Sequence, residues 1–197
     1  MRADRMIHRW RVAIGVIAVA LPCAFFALGG ATRNDPRIAR IRTWFLAAEK
    51  ALPGNRVVRK ELGEFSSEGG ALTAYFAGDS LSKLDANLYV DEGRVTYDFY
   101  MHDDSTYFVS HIIGKYSLSM DGRIIHRVQY RMYFDHDTLI RWIDTTGKEL
   151  PVQGQAADDE ASKDLTMGRI LMACAKLADP SAACLAPSND STPQLAK

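Results

Sequence analysis

Two short clusters in the sequence carry side chains of the types that bind metals. They are His102-Asp103-Asp104 and Asp135-His136-Asp137. A zinc site needs three or four ligands that converge on one point, whereas adjacent residues on a strand point to opposite sides. Each cluster also falls where the chain needs a polar turn. We therefore interpret both clusters as hairpin turns, and the sequence predicts no metal and no cofactor.

Two histidines inside predicted strands offer acid–base chemistry. Histidine titrates near neutral pH, so His111 or His126 could form an acid–base pair with Asp98 or Tyr130. The sequence has no nucleophile in a recognised setting such as Gly-x-Ser-x-Gly, His-Glu-x-x-His or Cys-x-x-Cys. The preferred interpretation is a hydrogen-bonded strand histidine, and no catalytic residue is assigned.

A group of arginine and aromatic residues is the strongest candidate for a binding site. It consists of Arg131, Tyr133, Arg141 and Trp142. On adjacent hairpin strands, residues of one parity would form an Arg–Tyr–Arg surface that can hold a carboxylate or an acidic loop of a partner. The alternative is cross-strand packing, with arginine stems lying over aromatic rings. Packing is the preferred interpretation of this group, and the same four residues are the predicted binding site if the sheet carries one.

The elements that must position these residues begin with a helix. Asp35 can cap its first amides, and Pro36 suits its first turn. One apolar stripe follows at spacings of three and four residues: Ile38, Ile41, Phe45, Ala48 and Leu52. The helix is predicted to end at Pro53-Gly54-Asn55.

The middle of the chain changes to a period of two. Short runs rich in Val, Ile, Tyr and Phe alternate with polar turn residues, which is typical of an antiparallel meander. Strands are predicted near residues 56–62, 71–77, 82–90, 94–101, 105–116, 123–134 and 138–144. Residues 75–81 consist of an aromatic pair, a polar turn and a leucine, and residues 133–139 repeat this pattern. Phe99-Tyr100 with the polar turn that follows it is a looser copy of the pattern. The sheet is therefore predicted to repeat a hairpin.

A second helix with acidic residues at its start is predicted from about Asp158 to Pro180. Cys174 lies in this helix and Cys184 beyond it. In an oxidising compartment the two cysteines can form a disulfide, and the alternative is two free cysteines. The fold class is therefore α+β, an antiparallel meander of about seven strands flanked by an N-terminal and a C-terminal helix. Both helices are expected to cover one face of the sheet, and the other face is expected to stay open.

The first residues have the three parts of an export signal. Four arginines near the start precede an uncharged stretch at residues 12–28, and small residues 29–31 follow. At about 1.5 Å per residue this stretch falls just short of a hydrocarbon core of roughly 30 Å, and Pro22 would kink a helix there. We expect cleavage after Ala31 rather than an anchor. Pro22 before Cys23 argues against a lipoprotein signal.

The sequence predicts that the chain has three parts. Residues 1–31 are the signal or anchor, 32–184 form one domain, and 185–197 form a polar tail expected to be disordered. The protein is predicted to be periplasmic or secreted, or anchored in the inner membrane if the signal stays uncleaved. The chain has 24 Lys and Arg against 24 Asp and Glu and lacks a basic stripe, so nucleic acid is not an expected partner.

Two runs of sequence resemble a family of small exported bacterial proteins of unknown function. They are residues 68–76 (EGGALTAYF), followed by Leu81 and Lys83-Leu84, and residues 131–134 (RMYF) with 139–142 (LIRW). The resemblance covers roughly residues 60–150 and implies a β-meander and an export route, without any chemistry. The family usually has a Tyr-Gly-Glu turn where this chain has Tyr89-Val90-Asp91-Glu92-Gly93, so this turn departs from the pattern.

Two specific functions remain open from the sequence, beside a structural role in the envelope with no dedicated site. The first is a non-enzymatic binding module of the cell envelope, similar in size and compartment to inhibitors and immunity proteins, which docks a protein or peptide on the open sheet face. The second is a small periplasmic enzyme or ligand carrier with His111, Asp98 or His126 in a pocket between sheet and helix. The membrane is expected as a partner only through an uncleaved N-terminal segment.

Overall fold

A computed structural model describes residues 35–117, 122–177 and 184. The predicted export segment and the polar tail lie outside these residues. Two helices and eight strands follow one another in the described chain: α1 (Pro36–Ala51), β1 (Arg56–Glu61), β2 (Gly70–Ala77), β3 (Ser80–Val90), β4 (Gly93–His102), β5 (Ser105–Tyr116), β6 (Ile124–Asp135), β7 (Thr138–Ile143), β8 (Glu149–Leu150) and α2 (Gln155–Ala175). A short 3₁₀ turn, Leu52–Gly54, ends α1. Neither described helix has the length and apolar character of a membrane span.

The eight strands form one antiparallel sheet in which each strand pairs with the next in sequence. The predicted α+β meander between two helices is therefore confirmed. The eighth strand, β8, was not predicted from the sequence; it is only two residues long and pairs with the end of β7. It is held there by a turn in which the carboxylate of Asp144 accepts hydrogen bonds from the backbone amides of Thr146 and Lys148. A strand of two residues is too short to show alternation.

The two helices pack on opposite faces of the sheet. On β4, Tyr97 and Phe99 belong to the core under α2, whereas Tyr100, of the other parity, belongs to the core under α1. Alternate residues of a strand point to opposite faces, so the two cores lie on either side of the sheet. The expectation that both helices cover the same face was wrong. Each helix has one apolar stripe, and a stripe does not specify which face it will cover.

The predicted hairpin repeat has a structural counterpart. The strand register shifts at the same place in three hairpins, after Tyr75, after Tyr100 and after Tyr133. Each shift leaves one extra residue on the returning strand, namely Ser82, Tyr107 or Ile140. Such bulges bend and twist the strand pair. Two of the extra residues, Tyr107 and Ile140, contribute to the core under α1.

The interpretation of the two His/Asp clusters as turns is confirmed. Asp103 and Asp104 join β4 to β5, and His136 and Asp137 join β6 to β7, each as a two-residue loop. All four residues have φ between 49° and 63°. Positive φ at both central positions is the type I′ pattern, whose twist matches that of the flanking strands.

The predicted pairing of Cys174 with Cys184 is confirmed as geometry. The two sulfur atoms lie at disulfide distance, and the Cα atoms are 5.4 Å apart. This separation is within the usual range for disulfides. Both cysteines are buried in the core under α2, so the bridge fixes the chain beyond α2 against the sheet.

Candidate functional site

Helix α1 covers only the part of its sheet face that lies near the hairpin turns of β4–β5 and β6–β7. Its buried residues Ile38 and Ile41 pack with Tyr107, Phe108 and other residues at that end. Neither of the two described helices lies over the remainder of this face. We call this remainder the open surface, and three rows of side chains in cross-strand register make it up.

The first row lies next to the residues under α1. It runs across four strands through Asp85, Asp98, Ser110 and Arg131, which are successive cross-strand partners. Ser110 is buried, and the other three are partly exposed. The row therefore carries an acidic end on β3 and β4 and a cationic end on β6.

The second row is uncharged. Asn87, Thr96, Ile112 and Gln129 are successive partners on β3 to β6, and all are partly exposed. The Thr96 hydroxyl donates to the Asn87 side-chain oxygen at 2.9 Å, and the Gln129 amide donates to Ser110 Oγ at 3.1 Å. These bonds orient the polar groups of the row relative to one another.

The third row places two arginines on either side of a glycine. Arg94 pairs with Gly114, and Gly114 pairs with Arg127. With strands about 4.8 Å apart, the two arginine Cα atoms are separated by roughly 10 Å. Gly114 has no side chain to fill the gap. Together with Ile124 and residues of the second row, these three line a depression of about 260 Å³.

Three arginines of the open surface lack the acidic partner that several other arginines of the protein have. Among the described residues, no carboxylate lies within ion-pair distance of Arg94, Arg127 or Arg131. By contrast, Arg40 pairs with Asp135 and Arg169 pairs with Asp137, both at 2.8 Å. The open surface thus presents three guanidinium groups whose hydrogen-bond donors are available for an incoming anion.

The structure separates the four residues of the predicted binding site. Arg131 lies on the open surface. Tyr133 is on the same face but is only 8% exposed, within the core under α1. Arg141 lies beside it, with its guanidinium 5.7 Å from the Tyr133 ring centre, and it pairs with Glu149 at 2.7 Å. Trp142 packs against the core under α2, on the opposite face.

A cluster of three carboxylates surrounds one lysine at the border between α1 and the open surface. Lys83 Nζ lies 3.1 Å from Asp85, 3.7 Å from Glu49 and 3.9 Å from Asp98. The Tyr100 hydroxyl donates to Glu49 at 2.6 Å. Burial, aided by a hydrogen bond with Asp85 and opposed by Lys83, raises the pKa of Asp98 to about 7. This end of the open surface therefore changes charge near neutral pH.

The histidines do not form the acid–base pair considered from the sequence. Asp98 lies on the α1 side of β4, whereas His111 lies on the α2 side of β5 opposite Tyr97. His126 is exposed near the start of β6. Tyr130 is the cross-strand partner of His111, with ring centres 6.3 Å apart. Asp98 and His111 thus cannot act together, because the sheet separates them.

His111 instead meets two acids of α2. Its Nδ1 atom lies 3.4 Å from Asp164 Oδ1 and 3.8 Å from Glu160 Oε1. The Tyr97 ring stacks on the imidazole at 4.4 Å between ring centres. Burial raises the pKa of the Asp164 carboxyl, and His111 opposes this shift. Among the described residues this is the one group of three side chains whose ligand atoms are close enough to hold a metal.

Sequence reasoning missed several of these residues, although some left a signal. Gly114 interrupts a strand pattern, which often marks a place where another group approaches the backbone closely. Asp164 stands among the apolar positions of α2, next to Leu165, where an acid needs a partner. Arg94 and Arg127 carry no local signal, because their proximity depends on the register of three strands.

A scan against protein-family models, a search of curated proteins and a search of solved structures find no match to this chain.

Proposed function

We propose that this chain is a non-enzymatic binding module of the cell envelope, which docks an acidic segment of a protein or peptide on the open surface. The observation that carries the proposal is the set of three arginines, Arg94, Arg127 and Arg131, without a described carboxylate partner. Two of them, Arg94 and Arg127, lie on either side of Gly114 in the depression.

The chemistry of this surface favours carboxylate groups. A guanidinium donates two parallel hydrogen bonds to a carboxylate, and these are among the stronger hydrogen bonds in proteins. The second row adds neutral donors and acceptors in Asn87, Thr96 and Gln129, which suit the backbone of a docked peptide. Ile112 and Ile124 add apolar area to the lining of the depression. Such a mixture of arginine, polar and apolar groups is common at protein interfaces.

Two features support the envelope as the compartment. The basic and apolar start of the chain is typical of an export signal. The Cys174–Cys184 pair is at disulfide distance, and disulfides persist mainly in oxidising compartments.

Photo-crosslinking from the open surface tests this proposal. A photoreactive amino acid at Thr96 would lie in the second row, within reach of a docked segment. In envelope extracts of the source cells we expect it to form a discrete adduct with one protein. Arg127→Ala in the same protein should reduce the adduct at least tenfold, since losing a charged hydrogen-bond partner costs about 1.5–3 kcal/mol.

A matched position on the other side of the molecule serves as the control. Asp159 is exposed on α2 and lies far from the open surface. The same photoreactive residue at Asp159 should give no such adduct. Equal adducts from both positions, or no adduct from Thr96, would contradict the proposal.

A further inference from the structure

We propose that His111, Glu160 and Asp164 form a binding site for a divalent transition metal, with zinc as the best fit, between the sheet and α2. The site lies on the opposite face from the open surface and does not depend on the proposed function. It is built from β5 and from two consecutive turns of α2. Glu160 and Asp164 are four residues apart, so they project from the same side of the helix.

One of the distances between ligand atoms already equals that of a tetrahedral zinc site, and the others are somewhat longer. Zinc binds imidazole nitrogen and carboxylate oxygen at about 2.0–2.1 Å, so two ligands of a tetrahedral site lie roughly 3.3 Å apart. The observed distances from His111 Nδ1 are 3.4 Å to Asp164 and 3.8 Å to Glu160, and all three ligand atoms lie within 4.8 Å of one another. Glu160 is partly exposed, so a change of its side-chain rotamer can bring its carboxylate closer to the other two ligands.

The polar groups at this site lack other partners. His111 is 4% exposed and Asp164 is 1% exposed. Both ring nitrogens of His111 lack a hydrogen-bond partner among the described residues, and so does the Oδ2 atom of Asp164. A buried polar group without a partner costs about 1–3 kcal/mol, and more if it is charged. A dication would give His111 Nδ1 a partner and would neutralise both carboxylates at once.

The type of ligand selects the metal. One nitrogen and two carboxylate oxygens, without sulfur, suit zinc or a similar first-row ion, whereas calcium prefers six to eight oxygens. The Glu160 side chain is 26% exposed, so the site reaches solvent through this residue. Its Oε2 atom lies 3.6 Å from Lys163, which leaves Oε1 directed toward His111. A fourth position at the metal would be open to water.

Metal analysis of the untagged protein tests the site directly. After dialysis against zinc and then against metal-free buffer, we expect one zinc ion per chain by native mass spectrometry. Zinc should raise the midpoint of thermal unfolding by roughly 5 °C when its concentration is well above the dissociation constant, and a chelator should reverse the shift.

Two substitutions separate this site from surface histidines. His111→Gln and Asp164→Asn keep the side chains polar and similar in size, and each should weaken zinc affinity by at least about 100-fold. His126→Gln removes an exposed histidine and should leave affinity unchanged. Retention of zinc by both His111→Gln and Asp164→Asn would overturn the proposal.

A measurement on the unsubstituted protein decides the question if the variants fail to fold. X-ray absorption of the one-equivalent zinc complex should show a single imidazole with oxygen ligands and no sulfur. Absence of bound zinc would show that His111, Glu160 and Asp164 do not form a metal site, and two or more imidazoles would place the metal elsewhere. Either result would overturn the proposal.

Discussion

Gly93→Ala is expected to lower the free energy of unfolding by about 3 kcal/mol or more. A Cβ atom at this position would lie 1.9 Å from the backbone oxygen of Gly114. Neither atom can move by rotation of a side chain, so the first residues of β4 and their partners on β5 would have to separate. Chemical unfolding of the two proteins, followed by circular dichroism, measures the difference.

Gly114→Ala is the matched control for this prediction. Its added Cβ would lie 3.0 Å and 3.2 Å from the side chain of Ile124, which is partly exposed and can turn away, and at an ordinary contact distance of 3.6 Å from the backbone oxygen of Arg94. We expect a loss of less than about 1 kcal/mol, because one flexible side chain can move aside and the backbone can stay in place. Equal stability losses in the two variants would show that the close backbone approach at Gly93 is not the cause.

Asp98→Asn is expected to stabilise the protein at pH 8. The pKa of Asp98 is raised to about 7 in the folded state, with burial as the main cause, against 3.8 for the ordinary carboxyl. The folded state therefore holds this proton more tightly than the unfolded state, and the stability it contributes is lost as pH rises from about 4 to 7. The asparagine side chain has no proton to lose, so the variant should not show this loss.

The expected difference in stability follows from the size of the pKa shift of Asp98. One pKa unit corresponds to about 1.4 kcal/mol, and coupling to Lys83 and Asp85 together with partial exposure reduces the full value. We expect the variant to be about 1–2 kcal/mol more stable than the wild type at pH 8 and no more stable at pH 4. Urea unfolding at the two pH values measures both differences.

A charge-matched control accompanies this measurement. Asp159→Asn changes the net charge equally at an exposed position on α2, so it should leave the pH dependence as it is. A loss of stability in Asp98→Asn at pH 8 would contradict the prediction, because it would show that the ionised Asp98 stabilises the folded state through Lys83 more than its burial costs.

Much of the fold was predictable because the strands alternate cleanly. On β3, Leu84, Ala86 and Leu88 are buried under α2 and alternate with partly exposed residues. On β6 the alternation predicted from the sequence holds only at its end, where Met132 and Phe134 are buried under α2, whereas Ile124 and His126 at its start are exposed. The capped start of α1 was equally clear, since the Asp35 carboxylate accepts a hydrogen bond from the Arg37 amide at 2.8 Å. The choice of sheet face for each helix was not predictable, because it depends on tertiary packing.

The candidate site was predictable only in part. Arg131 was identified, and its parity with Tyr133 and Arg141 is as expected. Trp142 was grouped with them through sequence proximity, although it follows Arg141 directly and so points to the other face. The pairing of Arg94 with Gly114 and of Gly114 with Arg127 arises from strand register, and register across several hairpins depends on turn lengths and bulges that no single segment encodes.

The most direct test of the proposed function is the affinity of the crosslinked partner for charge-reversed variants of the open surface. Arg127→Glu should weaken binding at least tenfold in isothermal titration calorimetry, with the wild-type interaction itself weakening as salt increases. Arg169→Glu, on the exposed side of α2, should bind as the wild type does. Unchanged affinity in Arg127→Glu, or an equal loss in both variants, would contradict the open surface as the binding site.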